Sequence, residues 1–157
     1  MKIWPRRILG ILGIGGGAVG FVACATKLLG ATHPAQWAIY IVFGGLYAWG
    51  LWCGVKLMES QPNALRYNRR FWLLQVPAFN SPLLGYSFAS GFHLTLSLNL
   101  TPFSLGFNSQ VGSAFDFSLI RWDQPLSLGV NVFAFGMYLW LEREFPDAPV
   151  TAVQSPP

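Results

Sequence analysis

The chain has 157 residues, 53% of them apolar and only 10% charged, whereas a typical soluble domain is about 25% charged. That balance excludes an ordinary water-exposed globule and points to a few membrane helices with a small appendage. The formal net charge of +4 does not indicate nucleic acid, because the basic residues flank apolar runs and form no aromatic-interleaved patch. Anionic lipid is the expected counter-charge.

The first residues, Met1 to Arg7, are a basic flank with an interfacial Trp4. The apolar run from Ile8 to Gly30 follows, long enough for the roughly 20 helical residues a bilayer core requires. Ala23-Cys24-Ala25 resembles a signal-cleavage site and Phe21-Val22-Ala23-Cys24 a bacterial lipobox. The second apolar run begins too soon for either, so an uncleaved helix is expected. Arg6 and Arg7 read as a topology anchor at the lipid headgroups. Gly13, Gly17, Gly20 and Cys24 recur at helical spacing, a face of small residues on which a second backbone can approach closely. Gly15-Gly16-Gly17 has no strand before it and no phosphate-loop Lys after it, which excludes a nucleotide site.

After the turn 31–34, residues Ala35 to Leu57 form a second apolar run, so residues 1–58 read as a transmembrane helical hairpin. Gly50-x-x-x-Gly54 supplies its close-packing motif. The partner for both glycine faces is either the other arm of the hairpin or a second copy. Trp37 and Trp52 suit the two headgroup levels. No intramembrane His accompanies the aromatic row, so a quinone or haem is not expected. Cys24 and Cys53 fall near opposite ends of an antiparallel hairpin, an offset of about 20 Å, too far apart for a disulfide. His33 and His93 stand at no ligand spacing. No metal or other cofactor is expected.

Residues 59–124 read as a polar linker and a β-rich segment. The linker carries Arg66, Arg69 and Arg70, expected at the headgroups of the same membrane face as Arg6 and Arg7. Residues 71–115 contain no Lys, Arg, Asp or Glu, yet prolines interrupt them too often for a spanning helix. His93 to Leu100 and Phe115 to Leu119 alternate polar and apolar residues, the period-two signature of half-buried strands. Strands are expected at about 70–76, 84–90, 92–100, 103–108 and 114–121, joined sequentially as an antiparallel meander. A Ser, Thr and Asn face without charge needs a cover: the bilayer interface, a second copy or a protein partner. An oligomeric outer-membrane barrel also fits the alternation, but five strands do not close one and the helical hairpin argues against that membrane.

Residues 125–144 read as a third, short transmembrane helix, with a re-entrant or interfacial helix as the alternative. Asn131 within it is expected to bond across to another helix, a contact worth about 1 kcal/mol or less. The proline-rich tail, 145–157, is expected to be disordered. The fold class is therefore an α+β membrane protein: a helical hairpin, a charge-poor β-meander and a third short span.

Eight of the ten basic residues fall on one side if the N-terminus is cytoplasmic, the positive-inside pattern. This implies a multi-pass protein of the bacterial inner-membrane type, with residues 58–124 cytoplasmic and the C-terminus opposite. Asp116, His93 and one of the serines make a triad only on paper, so no catalytic residue is assigned. A structural, accessory or partner-docking role is expected. The alternative is a membrane-embedded enzyme or lipid-interacting protein that uses the uncharged strands.

Overall fold

The structure is a computed structural model that describes residues 3–100 and 103–144; the expected tail lies outside these. Helices α1 (Ile3–Leu29) and α2 (Pro34–Met58) form the hairpin, with Pro34 opening α2, the position where its missing N–H costs nothing. Both are long and apolar enough to cross a membrane. Glycines set their separation. A Cβ on Gly17 would stand 2.7 Å from the Tyr47 carbonyl oxygen, and one on Gly54 would stand 2.8 Å from that of Gly10, closer than carbon and oxygen tolerate.

The expected linker contains a helix, α3 (Ala64–Leu74), and the strand expected at 70–76 is absent. Ala64, Asn68, Phe71 and Trp72 fall on one buried face at helical spacing, a stripe the interleaved arginines obscure in the sequence. Six strands follow or interleave: β1 (Pro77–Asn80), β2 (Leu84–Ala89), β3 (Phe92–Leu100), β4 (Phe103–Val111), β5 (Ala114–Leu119) and β6 (Ser127–Asn131). All pair antiparallel in the order β4-β3-β6-β1-β2-β5.

That order is not the expected meander. β2 with β3 and β4 with β5 are two arms of one long hairpin, in an unbroken register from Leu84 opposite Leu119 to Leu100 opposite Phe103. The hairpin bends at Ser90-Gly91 and Gly112-Ser113, where Gly91 and Gly112 take φ values of +88° and +126°, open to glycine at little cost. Gly112 N–H donates to the Gly91 carbonyl across the bend at 2.7 Å. β1 and β6 pair with each other and fill the space between β2 and β3.

The expected third span divides. Ser127 to Asn131 alternate as β6, and α4 (Val132–Glu144) has only 13 residues, about 20 Å at 1.5 Å per residue, too short to cross a bilayer core of about 30 Å. α3 and α4 pack against the open end of the hairpin, hereafter the base, through Leu9, Leu57, Ala64, Trp72, Ala134 and Leu141. The sheet instead flanks the other half. Ser113 Oγ donates to the Gly16 carbonyl midway along α1, while Leu119 shares a cavity with Ala35 and Ala38 near the hairpin turn, the tip. Aromatic rings join the layers: Phe43 stacks on Phe115 with centroids 4.5 Å apart, and Tyr47 lies 4.9 Å from Phe88.

Candidate functional site

The register sorts side chains by chemistry. Opposed pairs on one face of the sheet are Thr95 with Asn108, Asn99 with Ser104, Ser87 with Asp116, and Thr95 with Asn131. On the other face they are Leu96 with Phe107, Leu98 with Leu105, Leu96 with Val130, and Phe88 with Phe115. The polar face is the inner one. Gln75, Ser87, His93, Asn108, Ala114 and Asn131 line a cavity of about 110 Å³ beside the bend. Ser97 of β3 and Asp116 of β5 lie four strand spacings apart, about 19 Å in a flat sheet at 4.8 Å per strand, yet both line one cavity. The sheet is therefore curled around its polar side chains as an open barrel.

Ala78 and Ser87 also belong to an adjoining cavity of about 220 Å³, lined by Asn80, Ser97, Asp116 and Ser127. The two make one polar cleft with room for several water molecules or a small polar group. At its deep end Gln75 and Asn131 are only 1% and 2% exposed. Gln75 Oε1 accepts from Ser90 N–H at 2.7 Å. Asn131 Oδ1 accepts from Leu94 N–H at 3.3 Å and from Ala134 N–H at 3.2 Å. Asn131 thus caps α4 and ties it to β3, rather than reaching another helix. His93 Nδ1, Ser90 Oγ and Asn131 Nδ2 are buried without a hydrogen-bond partner in the structure, and His93 and Asn131 line the cavity.

The small-residue positions lie inside the hairpin. A Cβ on Gly13 would meet the Gly50 carbonyl and Gly54 Cα, each at 3.3 Å, and Gly20 lies against the Tyr47 ring. Gly50 turns its Cα toward the Phe71 ring of α3. Cys24 and Cys53 are both buried thiols.

Charged residues gather at the two ends. Arg6 donates to Ser60 at the base, and exposed Arg7, Arg66 and Arg70 lie there with Arg69. Lys56 Nζ sits 4.5 Å from the Trp52 ring centroid. Arg143, two residues beyond Leu141 of the base cluster, is also at this end. The tip carries Lys27, whose Nζ is 5.4 Å from the Phe115 centroid, and the pair Arg121 and Asp123 at 3.1 Å. The Arg121 guanidinium, by donating to Asp123, holds that carboxyl below its ordinary range.

Among the described residues no three His, Cys, Asp or Glu side chains converge on a metal position. His93 and Asp116 line adjoining parts of the cleft, in different cavities and not paired as base and orienting acid. Composition and alternation reveal the polar face but not that it is the inside. Nothing in the sequence marks Gln75 and Asn108 as cleft residues, because only the fold around the bend at Gly91 and Gly112 brings them together. The chain matches no protein-family model, and neither curated proteins nor solved structures match it, so its functional reading rests on this geometry.

Proposed function

We propose that this is a small integral membrane protein, held in the bilayer by the α1–α2 hairpin, that serves as an accessory or assembly component docking with a membrane partner or another copy. One observation carries the anchoring: the outer surface of the hairpin is apolar along its length, with Ile11, Val19, Val22, Ile41 and Val42 each more than half exposed. About 25 cal/mol per Å² of apolar surface removed from water makes that surface costly in solvent. Acyl chains remove the cost.

The base is the cytoplasmic end in this reading, because seven of the nine described Lys and Arg residues lie there and two at the tip, as the positive-inside rule requires. This reading differs from the expected topology. Arg121 moves to the tip and Arg143 to the base. α4 also returns the chain to the base, so Glu144 ends on the same side as α1 begins. The strands flank the hairpin and do not form a separate cytoplasmic domain. A bacterial-type inner membrane is the setting in which this charge bias operates.

Labelling with a membrane-impermeant maleimide tests the topology, in a chain whose Cys24 and Cys53 are replaced by Ala. His33→Cys should react in intact cells and Arg66→Cys only after lysis. Copurification in mild detergent tests the accessory role: a stoichiometric protein partner or a dimer is expected, and a monodisperse monomer throughout would refute it. The polar cleft favours a second reading, a protein that handles a lipid headgroup or small polar ligand. Binding that is lost in His93→Ala, with the partner retained, would support this one instead.

A further inference from the structure

We infer that the bare outer face of the open barrel is covered by lipid acyl chains, so that the strands lie beside the hairpin inside the bilayer. This rests on the membrane-anchored reading above and adds a second lipid surface to it. The face is formed by Leu96, Leu98, Leu105, Phe107, Leu128 and Val130, which line an apolar groove of about 530 Å³. Leu105 is 84% exposed and Phe107 67%.

Four observations select lipid as the occupant. First, the polarity is inside out. Every cross-strand pair of β3 with β4 and β6 from Thr95 to Asn99 places Ser, Thr, Asn or Gly inward and Leu, Phe or Val outward, the arrangement of a lipid-facing barrel wall around a polar interior and the reverse of a water-soluble sheet. Second, residues 71–115 carry no charge, and the one charge in the strands, Asp116, lines the cleft. The outer face therefore has no ionisable group to desolvate, and apart from Asp116 the described charges lie at base and tip. Third, the lengths match. α3 with β1, and β6 with α4, lead from base to tip and back with contour lengths of about 30 and 36 Å, comparable to a hydrocarbon core of about 30 Å. Neither half spans alone. Fourth, β2 and β5 use the same outward face to pack on Phe43 and Tyr47 of α2, so the bare part continues from a surface already at hairpin depth.

The free edge of β4 is the feature lipid tolerates least, since unpaired backbone groups do not occur against hydrocarbon. Asn108 of β4 lines the polar cleft, and backbone that lines a polar cleft is the tolerated exception. A second copy or a partner protein on the outer face would leave the absence of charge and the match in length without a cause.

The test uses the full chain in phosphatidylcholine–phosphatidylglycerol vesicles that contain phospholipid with a nitroxide on the acyl chain. A fluorescent label is placed on Leu105→Cys, Phe107→Cys or Leu128→Cys, all at exposed positions on strands β4 and β6, in the background lacking Cys24 and Cys53. Val42→Cys on the hairpin and Asp123→Cys at the tip are references. We expect nitroxide quenching of the three strand labels within about two-fold of Val42→Cys, and at least about five-fold weaker quenching at Asp123→Cys. Quenching at Val42→Cys without quenching at the strand positions would overturn the inference while leaving the anchored hairpin intact. No quenching at Val42→Cys would overturn both.

Discussion

Ser97 of β3 and Asp116 of β5 stand four strand spacings apart in a six-stranded sheet and line the same cavity of about 220 Å³. This closure makes the polar alternation an interior and the leucines an exterior. It depends on the bend in the long hairpin, on the glycines at that bend, and on the two strands inserted between its arms.

The bend is the first point to test. Gly91→Ala and Gly112→Ala each place a Cβ where φ is positive and should each lower the unfolding free energy by about 1–3 kcal/mol. Gly91→Ala should cost more, because its Cβ would also lie 3.1 Å from the Leu12 carbonyl oxygen, whereas Gly112 has open space. Denaturant unfolding in a single detergent checks the order; equal and negligible losses would contradict the bend.

The hairpin seam gives a paired prediction. Gly17→Ala should destabilise by about 1–3 kcal/mol through overpacking against Tyr47 and Leu51. Gly45→Ala, with nothing within 4 Å of its Cβ, should be neutral or gain up to about 1 kcal/mol from helix propensity. Thermal unfolding followed by circular dichroism distinguishes the two.

Asn131→Ala should cost about 1–2 kcal/mol as a lost helix cap. It should also speed amide exchange at both Leu94 and Ala134, the two N–H groups its Oδ1 accepts from. Asn131→Ser, which keeps an acceptor, should lose less. Faster exchange at Ala134 alone would remove the proposed link to β3.

Much of this was legible in the residues. The two long apolar runs and their Pro34 boundary follow from length and composition, and strand β3 follows from the alternation of His93 to Leu100. α3 was hidden because Arg66, Arg69 and Arg70 interrupt its apolar stripe. β6 was hidden because Leu126 to Leu141 reads as one apolar run, although Ser127, Gly129 and Asn131 alternate with Leu128 and Val130. The cleft could not be read from the chain, since a period of two divides faces without saying which is enclosed; the cavity that Ser97 and Asp116 line together settles that.

A pH prediction follows from the tip. The Asp123 carboxyl is held low by Arg121, so any stability it adds is present above the ordinary carboxylate range and is lost as pH falls through its depressed value. Arg121→Gln should raise the Asp123 pKa toward that of a free aspartate. Carboxyl-carbon NMR titration measures it, and an unchanged midpoint would exclude the pairing in solution.

The placement of the hairpin in lipid is tested most directly by fractionating cells that express the full chain and washing their membranes with alkaline carbonate. The chain should remain in the pellet and require detergent for release. Recovery in the soluble fraction without detergent would contradict the account.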